Sequence, residues 1–492
     1  KAGVLGLLGL AAGSGVGVAA AGNETARETI SDYTGVKIPK PCTAIVSQDG
    51  TGDYDVLRNE DASEVIQRAI DYAAEKGGGE VRIREGEYNI TSTILIKDLI
   101  RLTGSGFNTI LRLPSNSDLT FFRNASWSNG NSDISICNIR LNGNYTLPNP
   151  GLNPAIELRK IINLNLTSLY IINTSNFAVH LRECNNVIVQ KIIVKNAGKG
   201  RDGIKLNSVQ KAVVESCIID SGDDCISVTS EHNEPKNIII SKNICRSQNS
   251  RGILINHATK GTIAPINNII IHSNQIYNCG SIGIYFEHKG YSYQIGSVVI
   301  SKNIIQNAGK HGILCQGETT AKAWNIQIQG NIIKNSNKKA IVVLNAERIS
   351  VKGNIIEGTG STQGILIGEV GSPCKDFVIS GNIINGKGTT IWGIHITRST
   401  NGVIANNIVK NCSEVGIRGS GDSINPCLDI ICIGNRCYDD QKTKTQKYGI
   451  KTEGNVDRWV VIGNIVEGNT IQGISLAGKN NVVCENIVTN IV

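Results

Sequence analysis

Methionine is absent from this 492-residue chain and aromatic residues make up only 4% of it. Avoidance of an oxidisable thioether is a trait of proteins from hot environments, whose intracellular members also carry disulfides, so the 14 cysteines do not by themselves fix a compartment. No run of five like charges occurs, and no basic stripe alternates with aromatics. The net charge of +8 is therefore dispersed, which argues against nucleic acid as a partner. No Cys-x-x-Cys zinc pattern is present, and Cys427, Cys432 and Cys437, five residues apart, suit core packing or disulfides better than a metal site. No cofactor or metal is expected. From Asp202 onward there is also no amphipathic helix between strand-like runs, which excludes an alternating α/β fold.

What the chain has in abundance is repetition. An Ile/Val-rich strand, an Asn, more aliphatics, a polar turn and Gly-Ile-x-Ile return again and again, with the Asn at 243, 274, 303, 331, 354, 382, 407, 435, 464 and 486, intervals of 22 to 31 residues. Self-similar strands at that period predict a solenoid, each repeat one coil of a parallel β-helix that buries its Ile/Val stripe against the coils above and below. The Asn column is expected to form an internal ladder. The fold class predicted is all-β, a single-stranded right-handed parallel β-helix over 80–492, with function on its outer face or ends. The 54 glycines suit tight stacked turns.

Three segments precede the coils. Residues 1–22, Lys1 followed by AGVLGLLGLAAGSGVGVAAAG, are apolar or small and uncharged until Glu24, with Gly9, Gly13 and Gly17 four apart. This is a signal peptide cleaved near Ala21 or Gly22, or a helix for assembly or a membrane; the second is the reading adopted. Residues 23–56, with Pro39, Pro41 and Gly50-Thr51-Gly52, read as a linker. Over 57–79, Asp61 and Glu64 have capping-box spacing ahead of Val65, Ile66, Ala69, Ile70 and Ala73, and Gly77-Gly78-Gly79 stops the helix. Such a helix caps the open first coil. N-x-S/T triplets at Asn23, Asn89, Asn124, Asn144, Asn165, Asn173 and Asn411 mark glycosylation candidates, six of the seven before residue 175. They favour an extracellular or cell-surface location.

The chemistry-bearing phrases are Arg201-Asp202-Gly203-Ile204 and Ser221-Gly222-Asp223-Asp224-Cys225-Ile226, with Asp202 and Asp223 21 residues, one coil, apart. Asp and Gly are ordinary turn residues, but a GDDCI phrase one coil beyond a DGI phrase places three carboxylates together. Their mutual repulsion is expected to raise at least one pKa, giving the acid and base that glycosidic hydrolysis needs.

The stretch EDASEVIQRAIDYAAEKGGGEVRIREGEYNIT resembles the opening of pectate-lyase-superfamily proteins. The acidic phrases resemble polygalacturonases, glycoside hydrolase family 28, whose motifs run Asn-Thr-Asp, Gly-Asp-Asp-Cys, Gly-His-Gly and Arg-Ile-Lys on successive coils. That resemblance implies catalytic roles for Asp202, Asp223 and Asp224. The third motif falls on Ser250-Arg251-Gly252, and the fourth on Gly283-Ile284-Tyr285-Phe286-Glu287, so the family's His is Arg251 and its Arg and Lys are Tyr285 and Glu287. A phenol and a carboxylate in place of two cations repel a uronate, leaving a neutral or amino sugar, with Arg251, His257, Tyr285, Glu287 and His288 as the rim. The N-terminal 22 residues resemble type IV pilin-like N-termini, without the acidic residue usual near position 5. Two functions follow: a self-assembling surface protein with a degenerate sugar site, or a glycoside hydrolase acting on a non-uronate polysaccharide. Self-association and polysaccharide are the expected partners, with membrane contact only through residues 1–22.

Overall fold

Strands with a β-branched inward face stack here by parallel pairing, one coil on the next, and several also carry an outward Ile, among them Ile218, Ile304, Ile355 and Ile383. A computed structural model describes residues 42–490 apart from 58–59, 197, 199, 259–263, 288–294, 319–320 and 361; the apolar segment 1–22 and the region up to 41 lie outside these. The described strands form a 32-stranded and a 15-stranded sheet, and the strand order of the smaller follows the coils without a break. Ile204–Asn207 pairs with Ile226–Ser230, then Ile253–His257, Ile284–Glu287 and Ile313–Gln316, all parallel. Among the described residues no helix is long and apolar enough to cross a membrane.

Period-two alternation sends Ile204, Leu206, Ile226, Val228, Ile253 and Ile255 into the core, each with 0% exposure. Burial of one such side chain contributes about 1.5–3 kcal/mol. The glycine that precedes the first inward Ile has a steric cause. A Cβ on Gly252 would stand 2.7 Å from the Gly283 carbonyl of the next coil, and one on Gly283 would stand 2.6 Å from that of Gly312.

The Asn column is continuous. From Asn243 to Asn486 each Nδ2 donates to the Oδ1 of the next ladder Asn at 2.9–3.0 Å, giving an unbroken file of side-chain bonds. The same Nδ2 groups donate to a backbone carbonyl of the preceding coil, such as Ile328 for Asn354. The residue before each ladder Asn is left-handed, with φ 54° at Lys302, 64° at Gly353 and 63° at Gly381, and this bend turns the Asn inward.

Helix α1 (Ala62–Glu75) covers the first coils with Val65, Ile66, Ala69, Ile70 and Ala73 buried. Asp61 caps it by accepting from Ser63 N at 3.0 Å and Ser63 Oγ at 2.7 Å, and Thr91 Oγ1 donates to Asp61 at 2.6 Å, pinning the cap to the coil beneath. One expectation changes. The linker predicted to run to residue 56 is strand at Cys42–Ser47, which pairs with Gly79–Ile83, so β-structure begins before the helix and not at 80. Ala44 and Val46 supply its inward face. Of the two readings of the cysteines, core packing and disulfides, the first holds: all 14 are free, and most are buried as small apolar core residues.

Candidate functional site

Asp202, Asp224 and Arg251 occupy one column, the corner residue just before the second sheet. Gly203 N donates to Asp224 O at 2.9 Å and Cys225 N to Arg251 O at 3.1 Å, so each is one coil from the next. Asp202 thus stacks on Asp224 and not on Asp223, the partner its 21-residue interval suggested. Asp223 stands beside them, its N–H bonded to Arg201 O at 3.0 Å. Gly222 is required next door, because a Cβ there would lie 1.6 Å from Gly198 O. Arg201 braces the corner, donating through Nη2 to Leu147 O and lying 5.0 Å over the Tyr145 ring.

The three carboxylates each bring an oxygen within 4.8 Å of the others, and among the described residues they are the group spaced to share a cation. Asp202 is 4% exposed and Asp224 5%. Burial pushes the Asp202 carboxyl up to about 7, Lys205 at 3.9 Å opposes this, and the charges of Asp224 and Asp223 add to it. Like-charge repulsion was the expected cause; desolvation is the larger one. Asp224 is also raised, again first by burial, with Arg251 opposing. It accepts from Ser250 Oγ at 2.7 Å and Arg251 N at 3.0 Å, while Arg251 Nη1 lies 3.7 Å away. Ser227 Oγ donates to Asp202 at 3.2 Å.

Of the residues read as a sugar rim, Arg251, Tyr285 and Glu287 stand together. Tyr285 and Glu287 alternate outward against inward Ile284 and Phe286. Tyr285 Oη donates to Glu287 Oε1 at 3.2 Å, Arg251 lies 5.6 Å over the Tyr285 ring, and burial followed by the Glu287 charge raises the phenol pKa. His257 leaves the rim: it shares the inward parity of Ile253 and Ile255 and is 2% exposed. His288 lies outside the described residues. Lys205, Ser227 and Ser250, which hold the acids, were missed; the register partner Lys205↔Ser227 is the signal that finds them.

Two glycosylation candidates also fail on burial. Asn124 is 2% exposed with Nδ2 bonded to Ser126 O at 2.9 Å, and Asn411 is 6% exposed with Nδ2 bonded to Asp440 at 2.8 Å. Asn89, Asn144, Asn165 and Asn173 are at least partly exposed, and Asn23 lies outside the described residues.

A protonated carboxyl beside ionisable neighbours supplies a proton donor and a base in one place.

Residues 262–428 match the family model described as a right handed beta helix region. Curated relatives include a probable polygalacturonase of Arabidopsis thaliana, 31% identical over 78 residues (15% of this chain, 17% of the relative), and polygalacturonase-2 of Solanum lycopersicum, 28% identical over 107 residues (21% and 22%). The chain spans a quarter or less of the length of the curated relatives it matches. Among solved structures, the tailspike protein of E. coli bacteriophage HK620 in complex with pentasaccharide superposes with a TM-score of 0.54 at 14% identity, covering 84% of this chain and 80% of that one. The pre-mature gene product 12 of bacteriophage phi29 gives 0.52 at 12% identity, over 86% and 71%. These two likenesses show the fold. By repeat, coil geometry and these likenesses, the chain is a right-handed parallel β-helix that is similar over short stretches to polygalacturonases.

Proposed function

We propose that this is a cell-surface β-helix protein that holds a neutral polysaccharide at a polygalacturonase-like acidic site no longer fitted to uronates, and that its apolar N-terminus drives self-association. The observation that carries the carbohydrate part is Glu287, 7% exposed and bonded by Tyr285, at a position where a uronate-binding site needs a cation. A buried carboxylate there repels an acidic sugar and leaves hydroxyl recognition intact. Arg251, within 3.7 Å of Asp224, spends its charge on the acidic cluster. A second reading, hydrolysis of a neutral glycan, is favoured by the raised Asp202 carboxyl, which keeps a proton available near neutral pH.

Glycan-array binding and negative-stain microscopy of the full chain and of a variant lacking residues 1–22 test the proposal. Binding to neutral and not uronate glycans by both forms is expected, with end-joined particles only for the full chain. Uronate binding contradicts the sugar assignment. Identical particles from both forms contradict the assembly role.

A further inference from the structure

The outer face of the second sheet carries a second concavity, six coils beyond the acidic cluster. Following the register from Ile226–Ser230 through successive strands to Trp392–Thr397 puts roughly 30 Å between them at ~4.8 Å per coil. Two hollows of about 420 and 270 Å³ adjoin there, and both are walled by Trp392, Arg418 and Glu453. The Arg418 guanidinium lies 4.0 Å over the Trp392 ring, so the two side chains form a stacked ridge between the hollows.

Every charged group that lines the hollows has a partner, with Lys451 and Arg418 sharing Glu453. Arg418 bonds Glu453 at 2.6 Å, Arg398 bonds Asp422 at 2.6 Å, and Lys339 lies 3.4 Å from Glu369. A charged ligand would have to break one of these pairs, whereas a neutral one can bond to their remaining lone pairs and N–H groups.

Two buried polar groups point the same way. His395 is 6% exposed and Gln363 8%, and both line the larger hollow. Arg418 Nη1 lies 3.3 Å from His395 Nε2. A guanidinium only donates, so Nε2 accepts and the proton sits on Nδ1. Burial, with Arg418 next, lowers the His395 pKa to about 3, which keeps the ring neutral. That leaves Nδ1–H as a donor and Gln363 Oε1 as an acceptor, both without a hydrogen-bond partner among the described residues. An unmet buried polar group costs about 1–3 kcal/mol, and a hydroxyl, which donates and accepts, can satisfy either kind.

We infer that the paired hollows about the Trp392–Arg418 ridge are a binding site for consecutive units of a neutral oligosaccharide. The apolar C–H faces of the sugars lie against Trp392, and their hydroxyls meet the polar wall. The inference stands apart from the acidic cluster and holds whether or not that cluster binds or cleaves anything.

Tryptophan-fluorescence titration of the full chain with cellohexaose, mannohexaose, galactohexaose, chitohexaose and hexagalacturonate tests it. At least one neutral hexasaccharide is expected to shift the emission, through a binding component that is lost in Trp392→Ala and is distinct from any component lost in Asp202→Asn. Binding should weaken tenfold or more in Gln363→Leu and in Trp392→Ala, read by calorimetry, and recover in part in Trp392→Phe, with unchanged circular dichroism confirming the fold. Absence of binding by all four neutral probes at millimolar concentration overturns the inference. So does a titration left unchanged by Trp392→Ala, or a preference for hexagalacturonate. Loss in Asp202→Asn with retention in Trp392→Ala assigns the sugar to the acidic site and likewise overturns it.

Discussion

Replacing Asn354 by alanine should destabilise the protein by about 3–5 kcal/mol, from several buried groups each costing about 1–3 kcal/mol when left unpaired. The wild-type side chain accepts from both Asn331 N and Asn331 Nδ2 at 2.9 Å, and donates to Ile328 O at 3.0 Å and Asn382 Oδ1 at 2.9 Å. All of this occurs at 0% exposure, where no water can substitute. Alanine leaves Asn331 N and one Nδ2 hydrogen of Asn331 without an acceptor, the other staying on Ile300 O, and opens a gap in the ladder. Because a solenoid repeat touches only its neighbours, lost hydrogen-exchange protection should centre on the coils of Asn331 and Asn382 and spare those of Asp202 and Asp224. The exposed Lys352→Ala in the same coil should change stability by no more than about 0.5 kcal/mol. A loss below about 1 kcal/mol for Asn354→Ala by denaturant titration would show that the ladder is not what holds the coils in register.

Asp202→Asn should stabilise the protein at pH 8 and do nothing at pH 4. The folded carboxyl titrates near 7 against an ordinary value of 3.8, and burial is the main cause. Between those values the unfolded chain has lost the proton and the folded one keeps it, so the wild type loses stability as pH rises from about 4 to about 7 and stays at the lower level above. At 1.36 kcal/mol per pKa unit the difference amounts to about 4 kcal/mol in favour of the amide at pH 8. Urea midpoints for the two proteins at pH 4, 6 and 8 measure it. Equal midpoints at pH 8, or a less stable variant there, contradict the claim that Asp202 is held as a buried acid at an energetic cost, the condition found at sites kept for function rather than stability.

Much of the fold was legible because its physics leaves marks one coil apart. A buried Asn must find a partner, and the cheapest is the same residue in the next coil, so the series from Asn243 to Asn486 specified its own alignment. The glycines of Gly-Ile-x-Ile announced close coil contact in the same way. Cys42–Ser47 was not legible, since a six-residue strand between Pro41 and Gly50 carries too few alternations to separate from a linker. Asp202 and Asp224 were found by motif, but the choice of stacking partner needs the register, which a difference of one residue in coil length decides. His257 was misplaced for a related reason: whether it faces out depends on alternation continuing to the end of Ile253–His257, which it does. The cysteines could not be read as pairs or singles, because spacing along one coil says nothing about facing across coils. The Trp392 hollows left no motif, since Gln363, His395, Arg418 and Glu453 come from four coils and share only a face.

The most direct test of the proposed sugar preference is reducing-sugar release from polygalacturonate, with wild type and Asp223→Asn run side by side across pH 4 to 8. Glu287 in place of a cation, and Arg251 committed to Asp224, predict that wild type releases no more than the variant at any pH. Release by wild type that disappears in Asp223→Asn would contradict the account, by showing that the acidic cluster processes a uronate despite a rim that repels it.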